Sequence, residues 1–144
     1  MSLDDLFREV ILDHYKNPHH FGELPDPTVS IHLKNPSCGD SIDLQLKTEG
    51  DRVVDAAFRG QGCSISMASA SMLTDAVRGK TIEEAERLLV AVQEMLRGAG
   101  VDPRLGDLTA LEGVSHFPVR VKCALLAWEG LDKSLRKLHP PAGK

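Results

Sequence analysis

Apolar positions change their period along the chain, and the changes divide it into elements. Leu3, Leu6, Phe7, Val10, Ile11 and His14 fall on one stripe at helical spacing. Ser2 is placed to cap that helix, with Asp5 at its third position as a weaker version of a capping box. Pro18, after Asn17, ends it near Lys16. Gly22, Pro25 and Pro27 make residues 19–28 an extended connector. The period then drops to two. Val29, Ile31 and Leu33 alternate with polar neighbours, and so do Ile42, Leu44 and Leu46. A turn at Thr48-Glu49-Gly50-Asp51 leads to a third strand from Val53 to Phe58, which Arg59-Gly60-Gln61-Gly62 is expected to break. Short connections make the three strands an antiparallel meander.

Helical spacing returns after Cys63. Ser64 to about Arg78 is rich in small residues, which let a helix lie close to its neighbours, and Gly79 ends it. Thr81 caps the next helix, with Glu84 three residues on. Its apolar face is Ile82, Ala85, Leu88, Leu89, Val92 and Leu96, and Gly98 and Gly100 close it. A looser stretch from Asp102-Pro103 through Gly106, Asp107 and Leu111 is expected to hold one short helical turn. His116-Phe117-Pro118 opens a last helix with Val121, Ala124, Leu125, Trp128, Leu131 and Leu135 on its stripe, running to about Leu138, before Pro140 and Pro141. The predicted architecture is α+β: a small three-stranded antiparallel sheet with helices packed on one face.

Composition narrows the function classes. At 144 residues the chain is long enough for one domain, residues 1–144, with a real core. Apolar and charged shares of 42% and 26% are those of an ordinary globular protein. A net charge of −4 leaves no electrostatic footprint for nucleic acid. No apolar run approaches the roughly 18 residues that span a bilayer, so no membrane partner is expected. The acidic opening Met-Ser-Leu-Asp-Asp is not a secretory signal. Three cysteines, an odd number, argue against a disulfide framework and for a cytoplasmic setting with metal-binding or reactive thiols.

The candidate chemistry lies at element ends. In Asn35-Pro36-Ser37-Cys38-Gly39-Asp40 a thiol and a carboxylate stand two residues apart on a strand-to-strand turn, and Gly39 gives that turn conformational freedom. Cys63 stands where a strand gives way to a helix, whose N-terminal partial charge favours a thiolate. Cys123 lies in the first turns of the last helix. Three thiols and one carboxylate make four possible donors, the number a tetrahedral zinc site requires. The spacing is not that of a zinc finger, which uses close Cys pairs. Spacing alone favours the plainer reading, in which Cys63 and Cys123 are small buried hydrophobes and Cys38 is incidental. That reading suits Cys123, between apolar Val121 and Ala124, and suits the polar Cys38 turn poorly.

Three segments carry a resemblance: Asn35 to Asp40; Gly60-Gln61-Gly62-Cys63-Ser64-Ile65-Ser66; and Pro118-Val119-Arg120-Val121-Lys122-Cys123-Ala124-Leu125-Leu126-Ala127-Trp128. With Asp13-His14-Tyr15-Lys16-Asn17-Pro18, they resemble the IscU/SufU family of iron–sulfur cluster assembly proteins, which includes the NifU-like N-terminal domain. Two departures point to the SufU type. Lys122 stands where IscU-type scaffolds carry a His before the third cysteine, and His116-Phe117-Pro118-Val119-Arg120 replaces their Leu-Pro-Pro-Val-Lys motif. The stretch from Leu96 to Leu111 also resembles an insertion typical of SufU.

The resemblance implies that Cys38, Asp40, Cys63 and Cys123 bind zinc. It implies a zinc-dependent sulfurtransferase that accepts persulfide sulfur from a SufS-like cysteine desulfurase and feeds downstream iron–sulfur assembly proteins. Cys38, on its glycine-flanked loop, is the expected acceptor, with Arg120, one helical turn before Cys123, as an accessory residue over the site. A second reading makes the chain a scaffold for a [2Fe–2S] cluster on Cys38, Cys63 and Cys123 with Asp40. A third makes zinc purely structural, against which an Asp ligand beside a Gly turn argues mildly. Lys122, as an ammonium, cannot ligate metal. His14, His19 and His20 form a candidate transient metal patch or a plain polar helix exit. His116 is a spare ligand candidate, while Met67, Met72 and Trp128 are read as core.

Overall fold

The structure is a computed structural model that describes residues 3–35, 39–100 and 102–138. Ser2, Cys38 with its neighbours Pro36 and Ser37, and the Pro140-Pro141 tail lie outside the described residues.

Helix α1 (Leu3–Lys16) leads through the connector to β1 (Val29–Asn35), β2 (Asp40–Glu49) and β3 (Arg52–Gln61). The strands pair antiparallel in the order β1-β2-β3, so the meander forms as expected. Alternation decides the faces. Val29, Ile31, Leu33, Ile42, Leu44 and Leu46 are buried against the helices, while Ser30, His32 and Lys34 face solvent. The fold is therefore α+β with helices on one side of the sheet.

Strand β3 departs from strict alternation. Its register against β2 shifts at Lys47/Thr48, where Lys47 pairs with Asp55 and Thr48 with Val53. Val54 is the extra residue of this bulge. It lets both Val53 and Ala56 face the core, three positions apart. The strand also runs further than the sequence suggests. Gly60 and Gln61 do not break it but pair with Ile42 and Ser41. A Cβ on Gly60 would stand 2.1 Å from the Ser41 carbonyl oxygen, so the glycine permits a close strand approach.

Helix α2 (Ser64–Val77) packs on β3 and between α1 and α4 (Pro118–Leu138), as its small residues predict. Helix α3 (Ile82–Glu94) begins with the expected capping box. The Glu84 N–H donates to the Thr81 hydroxyl, and the Thr81 N–H donates to the Glu84 carboxylate at 2.9 Å. Its axis continues into a wider turn at Met95–Ala99, which buries Met95 and Leu96, is kinked at Gly98 (φ 96°) and ends at Gly100. The stretch after it carries more structure than one short turn. Pro103–His116 is a run of tight 3-10 turns interrupted at Gly106, anchored by buried Leu105, Leu108, Leu111 and Val114.

Two contacts fix α4. Trp128, fully buried, donates its indole N–H to Ser69 Oγ at 2.9 Å, and that hydroxyl donates to the Ala124 carbonyl at 2.6 Å. Gly130 lies so close to β1 that a Cβ there would stand 2.7 Å from Leu33 Cδ1. The helix bearing Cys123 is thus pinned both to α2 and to the sheet.

Candidate metal centre

The ends of three elements converge. Asn35 and Asp40 close the β1–β2 ladder, and the Gly39 N–H donates to the Asn35 carbonyl at 2.9 Å with Gly39 at φ 74°. This hairpin end sets Asp40 at the first position of β2, where it is 1% exposed. β3 ends at Gln61, and Gly62 and Cys63 turn into α2. Cys63 is the N-cap of α2, extended at φ −72° and ψ 169°, and its Sγ accepts the Ser66 N–H at 3.5 Å.

One carboxylate oxygen of Asp40 accepts the Cys63 backbone N–H at 3.0 Å, and the other lies 3.8 Å from Cys63 Sγ. Ser66 closes the turn: its hydroxyl donates to the Cys63 carbonyl at 3.1 Å and lies 3.6 Å from the sulfur. Cys123, 4% exposed in α4, brings its sulfur to the same place. One ligand atom each from Asp40, Cys63 and Cys123 lie within 4.8 Å of one another. Cys63 is exposed, so the cluster opens to solvent on its side.

The donor set fits a metal. Two soft sulfurs and one hard, nearly fully buried carboxylate oxygen make a mixed set that zinc accepts, and the sulfurs also suit iron–sulfur iron. Gly62 adds a steric signature, since a Cβ there would stand 2.5 Å from Asp40 Oδ1 and 2.6 Å from Ser66 Oγ. Its backbone is not left-handed, so the glycine is needed for space alone.

Of the four donors expected from the sequence, three are thus brought together, and Cys38 lies outside the described residues, two positions from Asp40. Arg120 is exposed and stacks its guanidinium on Phe117, with Cζ 5.2 Å from the ring centroid. Both line a cavity of about 610 Å³ with Ser64, Ile65 and His116, beside the start of α2. Lys122 and His116 are exposed, and neither belongs to the donor cluster. Met67, Met72 and Trp128 lie in the core. The sequence reading missed the supporting roles of Gly62 and Ser66. The second glycine of Gly-Gln-Gly-Cys and a serine three residues past an N-cap were the signals available for them.

The residues read as a helix exit are also organised. His14 is 2% exposed, as its place on the apolar stripe requires, and not a polar exit. It meets His19 and Asp75 in a second donor cluster whose atoms also lie within 4.8 Å of one another.

No helix among the described residues is long and apolar enough to cross a membrane. Residues 6–138 match the family described as NifU-like N terminal domain. The chain is 51% identical over 138 residues to the zinc-dependent sulfurtransferase SufU of Bacillus subtilis (strain 168), covering 94% of this chain and 93% of that one. It is 44% identical to the iron–sulfur cluster assembly scaffold protein IscU of Streptococcus pyogenes serotype M1, over 94% and 86% of the two chains. The crystal structure of a NifU-like protein (N-terminal) from Brucella abortus superposes with a TM-score of 0.85 at 26% identity, over 97% of this chain and 99% of that one. With the matched segment holding Asp40, Cys63 and Cys123, the chain belongs to the family of NifU-like N-terminal domains, among relatives that bear the names SufU and IscU.

Proposed function

We propose that the chain acts as one domain, in the cytoplasm, as a zinc-dependent sulfurtransferase that accepts persulfide sulfur from a cysteine desulfurase for iron–sulfur cluster assembly. The observation that carries the reading is the meeting of Asp40, Cys63 and Cys123 at one solvent-open point. The name of the Bacillus subtilis relative supports zinc as the metal.

Asp40, Cys63 and Cys123 would hold zinc, with Cys38 as the fourth donor. Zinc, when bound, keeps thiols ionised at neutral pH. The residues of the chain do the rest. Asp40 holds the Cys63 N–H and so fixes the start of α2 against the hairpin. Ser66 orients the Cys63 sulfur. Cys38 is the donor that leaves the set and acts as nucleophile. Its thiolate attacks the outer sulfur of the desulfurase persulfide. The new S–S bond forms on Cys38 as the old one breaks, and the electron pair leaves on the desulfurase thiolate. Cys38 ends as the persulfide, and no external oxidant or reductant is needed. Arg120, exposed beside the start of α2, offers a cation to the incoming anionic persulfide.

A second reading, supported by the IscU relatives, builds a [2Fe–2S] cluster on the same donors. The experiment joins metal content with desulfurase turnover. About one zinc per chain with strong stimulation, lost in Cys38→Ser, is the expected result. Iron with acid-labile sulfide and little stimulation would replace the sulfurtransferase by the scaffold. Zinc without stimulation would leave a structural metal.

A further inference from the structure

We propose that the chain carries a second metal site, built from His14, His19 and Asp75 with Asp107 at its rim, which takes a borderline divalent transition metal such as zinc or ferrous iron. Three observations bring it about. Ligand atoms of His14, His19 and Asp75 lie within 4.8 Å of one another. The His14 and His19 rings stand 4.5 Å apart, centroid to centroid. A cavity of about 210 Å³ beside them is lined by His14, Asp75 and Asp107 along with Met72, Leu105 and Leu108.

His14 is prepared for the role. It is almost fully buried, and its Nδ1 lies 2.8 Å from Ser71 Oγ. When Nδ1–H donates to that hydroxyl, Nε2 presents its lone pair, the anchored arrangement typical of metal-ligating histidines. Asp107 stands 3.1 Å from that Nε2, with its side chain otherwise largely exposed. Ser71 Oγ also accepts the His19 backbone N–H at 2.8 Å, so one hydroxyl sets both histidines. His19 Nδ1 is hydrogen-bonded to Asp75 Oδ2. A metal taking the place of that proton would use both atoms.

His20 stays outside the ligand set. Its Nε2 meets Asp75 Oδ1 at 2.9 Å, but the Arg78 guanidinium lies 3.3 Å from the same nitrogen, and a cation there opposes a second one. Two imidazoles with carboxylates favour zinc, ferrous iron, cobalt or nickel over calcium and magnesium. The site is separate from the cysteine centre. Asp75 lies twelve residues along α2 from Cys63, about 18 Å at the helical rise.

The test is a titration of the chelator-stripped full chain with Co²⁺. Two equivalents are expected to bind. One should show thiolate-to-cobalt charge-transfer absorption, and the other only the weak bands of nitrogen and oxygen ligands. Asp75→Asn, at an exposed position, and His19→Gln, at a half-buried one, should each weaken the second class at least about tenfold while leaving the charge-transfer class unchanged. A Cys63→Ser, Cys123→Ser chain should keep the nitrogen and oxygen class alone. Binding that stops at one thiolate-rich equivalent would overturn the proposal. So would a second equivalent that persists unchanged in both variants.

Discussion

Gly62 shows how much a missing side chain decides. Its two nearest neighbours are the carboxylate and the hydroxyl that hold Cys63 in place. Gly62→Ala should push Asp40 off the Cys63 N–H and weaken zinc binding about tenfold or more, read by competition with a chromophoric chelator. Ser69 sits in a similar position in the core. Ser69→Ala removes the acceptor of the Trp128 indole N–H and leaves that buried donor unmatched. It should cost about 1–3 kcal/mol, seen as a lower denaturant midpoint. At this scale the chemical residues were legible and their supports were not. Asp40 and Cys63 are the kinds of side chain a metal needs. Gly62 and Ser66 act by shape and by one hydrogen bond, and in sequence they look like any turn and any helix start.

Among the elements, the start of α3 was legible because local rules decide it. The Thr81–Glu84 box forms within four residues. Hydrogen bonds from the Thr81 N–H, first, and then from the Thr81 hydroxyl hold the Glu84 carboxyl below the ordinary carboxylate range. A lowered folded value stabilises the fold above the unfolded value. That contribution is lost as pH falls through the lowered folded value. An NMR titration of Glu84 should therefore end at lower pH than in a Thr81→Ala chain, which should also lose about 1 kcal/mol of stability. The end of β3 and the run after Gly100 were misread. Gly60 looks like a strand breaker but serves a close cross-strand contact. The buried residues of Pro103–His116, Leu105, Leu108, Leu111 and Val114, recur every third position, which is the period of a 3-10 run and not the stripe of an α-helix. The role of Gly60 is not visible without its neighbouring strand.

For the whole molecule, the three-stranded meander and the helical face followed from alternation and stripe alone. The meeting of hairpin, strand end and last helix followed from none of them, since the sequence does not say where α4 lands. Because that meeting ties three distant segments, metal binding should stabilise the entire fold. At a thousandfold excess over its dissociation constant, zinc should add about 4 kcal/mol. Stripping it should lower the melting temperature by about 10 °C, followed by calorimetry.

Strand β3 and helix α2 form a closed frame. They are joined at one end through Gly62 and Cys63. At the other, the Gly79 N–H donates to the Val53 carbonyl and the Val53 N–H donates to the Lys80 carbonyl. Such a frame has no slack. One residue inserted midway along α2 would turn its two halves by about 100° relative to each other. Either Cys63 would swing from Asp40, or Asp75 from His19. The helix thus works as a gauge bar, whose residue count keeps two donor clusters in phase at its opposite ends.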